Sequence, residues 1–235
     1  MDYQEVQKVL EEEDNLIRLD TDSRTVFVGD THGDLGASQE VFEKYFDDET
    51  RIVFLGDYID RGPQSRENLN FLLNKKVRYP HRVFLLQGNH EGYKFARFRP
   101  VDFWSSLSSE ERKTFEDLLG LLPLVLVQGK VIALHGGLPN VQGEEDILQI
   151  SPGDEQWKKI TWGDFVDEPG YSLGSGMGRP QLGRDYFQQV MKQLGKKVLI
   201  RSHQPHVPVR MFDSRCITVF TSSAYGTGKR VAIVS

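Results

Sequence analysis

Short apolar runs alternate with amphipathic stretches over the first ninety residues of the chain. Residues 2–13 place Val6, Val9 and Leu10 at helical spacing among acids, which predicts a short amphipathic helix with a structural role. Thr25-Val26-Phe27-Val28, Arg51-Ile52-Val53-Phe54-Leu55 and Arg82-Val83-Phe84-Leu85-Leu86 read as strands. Between them, residues 35–46 carry apolar positions at roughly helical spacing. Pro63 suits the start of a helix running to about residue 76. The order is βαβαβ, which calls for a parallel sheet covered by helices.

The middle of the chain reads as helical. Ser108-Ser109-Glu110-Glu111 has capping-box spacing, followed by an apolar-periodic stretch to Leu122 that Pro123 ends. Residues 124–127 and 131–134, separated by Gln128-Gly129-Lys130, predict a hairpin. Residues 139–179 show little periodicity, many Gly, Pro and Asp, and two tryptophans, Trp157 and Trp162. A long irregular stretch in a compact domain is usually functional, or a lid. Residues 180–194 then predict a helix closed by Gly195. Three strand-like runs follow at 197–200, 217–220 and 230–234. The expectation is an α/β (α+β) protein: one domain over 1–235, with two packed sheets flanked by helices and no repeat or linker.

Composition narrows the class. The chain has 235 residues, 38% hydrophobic and 27% charged, enough for one domain with a sizeable core. Its net charge of −5 argues against general nucleic-acid binding, but not against a phosphate substrate beside bound metal. Apolar runs far short of a spanning helix, and no signal-peptide pattern, point to a cytoplasmic protein without a membrane partner. The one cysteine, Cys216, rules out an internal disulfide and reads as a packing residue.

Candidate chemistry sits where the apolar runs end. Gly29-Asp30-Thr31-His32-Gly33, Gly56-Asp57-Tyr58-Ile59-Asp60-Arg61-Gly62, Gly88-Asn89-His90-Glu91 and His135-Gly136-Gly137 each follow a strand-like run; Arg201-Ser202-His203-Gln204 comes late. Loops at the carboxyl ends of strands are where α/β proteins place their chemistry. A lone Asp-x-His reads more readily as a turn capped by Asp, and a lone His135 could be a hydrogen-bonded core histidine. Taken together the blocks say more, because four of the six histidines fall in them. Two cations about 3.5–4 Å apart need a bridging oxygen, and Asp57 is the natural bridge. Asp30 and His32 would hold the first metal; Asn89, His135 and His203 would hold the second. Mixed imidazole and oxygen donors fit Mn²⁺ first, then Fe or Zn²⁺, better than Ca²⁺ or Mg²⁺. The expected reaction is direct attack on phosphorus by hydroxide made from a shared water. Arg61 can reach a phosphate oxygen, His90 can protonate the leaving alkoxide, and Asp60 can orient His90.

These blocks resemble the phosphoprotein phosphatase family of metallophosphoesterases, in family order across residues 26–226. The resemblance implies a calcineurin-like fold, a β-sandwich of two mixed sheets between helices, and a di-metal serine/threonine phosphatase acting on phosphoproteins. It implies the same ligands: Asp30, His32, Asp57, Asn89, His135 and His203. Arg61 would bind phosphate, and His90 with Asp60 would form the acid pair. The family has a second phosphate-binding arginine between its fourth and fifth motifs. Arg179, in Gly178-Arg179-Pro180 ahead of the predicted helix, is the candidate, and Arg184 the competitor. Arg201 reads as a support for His203.

The sequence also departs from the family pattern. Gln87 stands where eukaryotic members usually have Arg. Ser222-Ser223-Ala224-Tyr225-Gly226 looks like a shortened form of their C-terminal loop that keeps only the aromatic, so Tyr225 is a substrate-side candidate. In length the chain resembles prokaryotic or viral members. Regulatory subunits cannot be read from it. One rival activity is symmetrical bis(5'-nucleosyl)-tetraphosphate hydrolysis or other phosphoester cleavage. The other reading is a non-catalytic binding module.

Overall fold

The computed structural model describes residues 1–226 and 228–235. The chain begins α1 (Tyr3–Glu11), β1 (Leu16–Leu19), β2 (Thr25–Val28), α2 (Leu35–Tyr45), β3 (Arg51–Phe54), α3 (Ser65–Arg78) and β4 (Val83–Leu85). A 3-10 turn (Glu91–Lys94) leads to α4 (Asp102–Ser106), α5 (Ser109–Leu119) and the hairpin of β5 (Val125–Gln128) and β6 (Val131–Leu134). A second 3-10 turn (Glu144–Gln149) precedes α6 (Glu155–Trp162), β7 (Asp164–Phe165), β8 (Ser172–Gly176), β9 (Arg179–Leu182) and α7 (Arg184–Gln193). The chain closes with β10 (Val198–Arg201), β11 (Arg210–Met211), β12 (Cys216–Thr218) and β13 (Val231–Val234).

Two mixed sheets pack against each other. One has the order β13-β2-β3-β4, the other β1-β5-β6-β10-β12-β11. In the first, β2, β3 and β4 are parallel and β13 runs antiparallel at the edge. Period-two alternation decides what each side chain meets. Phe27, Val53 and Phe84 point inward and share a core with Leu126, Ala133 and Ile200 of the other sheet. Their neighbours Val26, Val28, Ile52 and Phe54 point outward, into a core with Val41, Leu69, Leu72 and Phe115. A matching outer core joins Ile132, Leu134 and Leu199 to Ile160, Phe187 and Val190. Strands buried on both faces read as continuous apolar runs, so they are visible in the sequence. Each buried aliphatic or phenyl side chain adds about 1.5–3 kcal/mol.

Local signals set the helix starts. Asp2 accepts from the Gln4 amide at 2.9 Å, and Asp34 from the Ala37 amide at 2.9 Å. The predicted capping box forms: Ser108 Oγ accepts from the Glu111 amide, and Glu111 Oε2 from the Ser108 amide. Helix α3 begins at Ser65 rather than at Pro63.

The predicted helix over 180–194 is corrected. Its first residues form β9, the middle strand of a third sheet in the order β7-β9-β8, and the helix begins only at Arg184. Pairing on both sides of β9 outweighs the helix-starting tendency of Pro180. Gly183 then turns the chain so closely that a Cβ there would lie 2.3 Å from the Gly170 carbonyl. The 139–179 stretch is therefore less irregular than its composition predicts. Strand β1, also unpredicted, forms because β5 offers it a parallel partner. Among the described residues, no helix is long and apolar enough to cross a membrane.

Candidate metal centre

Strands β2, β3, β4, β6 and β10 all end toward one place. The residues after them are Asp30 and His32, Asp57 to Arg61, Asn89 to Glu91, His135, and His203. Their backbones are bent to fit. His32, Asp57, Asp60, Arg61 and His203 all have positive φ, between 42° and 71°, a region that side chains other than glycine seldom occupy. Two loops also touch backbone to backbone. Gly56 has φ 105°, and a Cβ there would sit 2.5 Å from the Gly88 nitrogen. A Cβ on Gly88 would lie 2.3 Å from Asp57 Oδ1. Glycine is what brings the second and third loops into contact.

Six side chains then converge, all buried: Asp30, His32, Asp57, Asn89, His135 and His203. His135 Nδ1 donates to the Leu55 carbonyl at 2.9 Å, and His32 Nδ1 to the Ile59 carbonyl at 2.9 Å. Each Nε2 is thereby left as a lone-pair donor. His135 Nε2 lies 3.2 Å from Asn89 Oδ1, 3.0 Å from His203 Nδ1 and 3.4 Å from Asp57 Oδ2. His32 Nε2 lies 3.5 Å from Asp30 Oδ2 and 3.6 Å from Asp57 Oδ2. Asp57 is common to both groups. Its Oδ1 is engaged by the His90 amide at 3.0 Å, which leaves Oδ2 between the two histidines. Six buried donors of mixed imidazole and oxygen type, facing one another at these distances, fit divalent cations.

Charge balance points the same way. Burial and then the Asp57 charge push Asp30 up to about 6. Burial would raise Asp57 too, but His135, His90 and His32 outweigh it and hold Asp57 well below the usual carboxylate range. Burial opposes a charge on His135, yet Asp57 and Asp30 carry its pKa up to about 9. Burial, then His90, take His32 down to about 4. The carboxylates thus demand positive charge at the centre of the cluster.

Among the described residues, two triplets have ligand atoms within 4.8 Å of one another: His32, Asp57 and His90, and Asp57, His135 and His203. The first contains His90, whose Nε2 lies 3.9 Å from Asp57 Oδ2. Its other nitrogen is committed. His90 Nδ1 donates to Asp60 Oδ2 at 2.6 Å, while Asp60 Oδ1 accepts from the Phe103 amide at 2.7 Å. Burial would lower the His90 pKa, but Asp57 and Asp60 prevail and raise it. A protonated imidazole with its free edge toward the cluster can donate a proton there.

The rim is more open. Arg61 is exposed and shares a cleft of about 210 Å³ with His32 and Ser222 to Ala224. The Tyr225 ring lies 5.7 Å from that of His32. Arg179 reaches the centre from β9: its Nη1 is 3.4 Å from His203 Nε2, and its guanidinium lies over Trp162 at 5.6 Å. Arg184 does not reach it. That side chain pairs with Asp167 at 2.6 Å. Arg201 is fully buried, with Nη2 donating to the Gly163 carbonyl at 3.2 Å. Gln87 bonds Trp157 Nε1 at 2.6 Å and the Leu119 carbonyl at 2.8 Å, a packing role. Cys216 is buried, and burial pushes its thiol up to about 12.

Two carboxylates have roles at the centre that the sequence does not assign. Glu91 Oε2 accepts from the Asp57 amide at 2.7 Å and the Gly88 amide at 3.1 Å; Oε1 accepts from the Tyr58 amide at 2.9 Å. It ties the second loop to the third, and its place beside Asn89-His90 was the available signal. Asp164 Oδ1 lies 3.4 Å from His203 Nε2 and 3.7 Å from Arg179 Nη1. Its signal was weaker: one acid in a stretch already marked as functional.

Among known proteins, the chain is 31% identical over 203 residues to a probable serine/threonine-protein phosphatase of Encephalitozoon cuniculi. That match takes in 81% of this chain and 44% of the relative, so the chain spans less than half the relative's length. A solved serine/threonine phosphatase from Saccharomyces cerevisiae superposes with a TM-score of 0.82 at 22% identity, covering 94% of this chain and 75% of that one. A cold-active protein-tyrosine phosphatase from a psychrophilic Shewanella gives 0.64 at 17% identity, covering 96% and 78%. At such identities the two structures establish the fold. Residues 23–207 match the calcineurin-like phosphoesterase family, and all six converging donors lie inside that match. The chain belongs to the calcineurin-like phosphoesterase family, whose members work with divalent metals.

Proposed function

We propose that residues 1–235 act as one catalytic domain that hydrolyses phosphoserine and phosphothreonine in proteins. The observation that carries this reading is the His90–Asp60 pair, whose free imidazole edge faces the oxygen shared by two groups of donors. Asp30, His32 and Asp57 would hold one cation; Asp57, Asn89, His135 and His203 would hold the other. Mn²⁺ fits this donor set best, with Fe and Zn²⁺ as alternatives. When bound, such a pair polarises phosphate oxygens and makes water a nucleophile near neutral pH.

The chain's own groups supply the rest. Arg179, beside His203, and Arg61, in the cleft with His32, hold the phosphate oxygens by charge-assisted hydrogen bonds. His90 Nε2–H donates its proton to the leaving alkoxide, and Asp60 keeps the imidazolium oriented and its charge balanced. Glu91 fixes the peptide that presents Asp57, and Asp164 steadies His203 and Arg179 together. Tyr225 stands beside His32 on the substrate side. Direct displacement by water leaves no role for a cysteine or serine nucleophile, consistent with the buried Cys216.

A substrate panel on one Mn²⁺-loaded preparation tests the reading. It would contain p-nitrophenyl phosphate, phosphoserine, phosphothreonine and phosphotyrosine peptides, a dinucleoside tetraphosphate and a phosphodiester. Fastest turnover of the phosphoserine and phosphothreonine peptides is expected. Fastest turnover of the tetraphosphate would replace the proposed substrate class, and no turnover when the panel is repeated with Co²⁺, Fe²⁺ and Zn²⁺ would leave a binding module.

A further inference from the structure

The hairpin that delivers Arg179 carries a second feature. Strands β8 and β9 are joined by the two-residue turn Met177-Gly178, flanked by the paired residues Gly176 and Arg179. Met177 and Gly178 have φ 48° and 81°, the left-handed pair that a tight hairpin turn of this hand requires. Glycine or asparagine fits such a position; methionine fits it poorly. Its side chain is also 98% exposed. Only four large apolar side chains are exposed among the described residues, and two of them, Met177 and Tyr171, belong to this hairpin or adjoin it.

Alternation along β9 puts Arg179 and Gln181 on one face, and cross-strand pairing adds Gly176 to it. A Cβ at Gly176 would lie 2.7 Å from Gln181 Nε2, so that face is kept low beside Arg179. Met177 stands just beyond it. Two residues of chain limit its backbone to within about 7 Å of that of Arg179. Met177 therefore lies within reach of a residue next to a phosphate held by Arg179. The thioether is long, unbranched and polarisable, suited to apolar side chains of varied shape.

We propose that Met177 is a specificity-determining residue that packs against an apolar side chain next to the phosphorylated residue of a phosphopeptide. The assignment rests on the protein-phosphatase reading above. Backbone strain at an exposed methionine, on the strand that carries the phosphate-side arginine, is accounted for by contact with substrate.

Steady-state kinetics with paired phosphopeptides test this assignment. Met177→Gly removes the side chain and suits the turn better than the native residue, so misfolding does not confuse the result. For peptides with Leu or Phe beside the phosphorylated residue, kcat/KM should fall about five- to tenfold, nearly all through KM. The same peptides with Ser or Asp there, and p-nitrophenyl phosphate, should change by less than about twofold. Met177→Leu should restore the apolar preference. Equal loss on every substrate, or no loss on the apolar peptides, overturns the assignment. A wild-type enzyme that cleaves p-nitrophenyl phosphate and no phosphopeptide would sink the protein-phosphatase reading, and this assignment with it. A wild type that cleaves all of them, with a Met177→Gly variant that keeps the wild-type ranking, would sink only the role of Met177.

Discussion

The β2–β4 region and the β7–β9 sheet feed the same centre in opposite ways. The first is buried on both faces, and its loops are locked by glycine contacts, strained backbones and the Glu91 clamp. The second is small and mostly half-buried, and it contributes Arg179 and Asp164 from an antiparallel hairpin and a two-residue strand. Rigid burial suits donors that must hold cations at fixed separation. A less buried hairpin suits groups that meet a changing substrate. Under the proposed function, the division puts chemistry in the packed half and selection in the open half.

Four measurements break or sharpen that division, taken from the largest effect to the smallest. Asp57→Asn should take activity to background and weaken Mn²⁺ binding by more than about 100-fold, since even partners one step removed from a metal cost 10–100-fold. Calorimetric titration checks it, and unchanged affinity would remove Asp57 as the shared donor. His90→Asn should lower kcat by roughly 10²–10⁴-fold while both cations still bind. Loss of a cation in that variant would move His90 from the acid to the ligands, as its place in one of the two triplets allows. Arg179→Ala should cost about 10–100-fold in kcat/KM, the worth of one charged hydrogen bond, while Arg184→Ala stays within about twofold. Equal effects would mean that the open half does not act through Arg179. Finally, Leu173→Ala in β8 should change unfolding free energy by no more than about 0.5 kcal/mol, whereas Leu85→Ala in β4 should cost about 2–5 kcal/mol. Denaturant melts read this directly, and a large loss at Leu173 would show the hairpin to be part of the core.

Legibility in the sequence followed the same line. Strands β2, β3 and β4 could be read because two-sided burial demands unbroken apolar runs. The capping box at Ser108 could be read because its hydrogen bonds are local. Strand β9 could not, because Arg179-Pro180-Gln181-Leu182 carries no pattern of its own and is a strand only through β7 and β8. The competition between Arg179 and Arg184 was open for the same reason: only the fold shows one beside His203 and the other beside Asp167. Glu91 was in plain view, but its three backbone donors come from residues 57, 58 and 88.

The sequence alone determined which residue types were available for chemistry, and that they follow strands. Donor identity and loop position are encoded locally, by side-chain type and by apolar runs with glycine after them. Tertiary structure decided which lone pairs meet, which histidine nitrogen is free and which arginine arrives. Those facts depend on distances between residues up to 173 positions apart, such as the His203 amide on Asp30 Oδ1. Packing fixes such distances, and no local pattern encodes them.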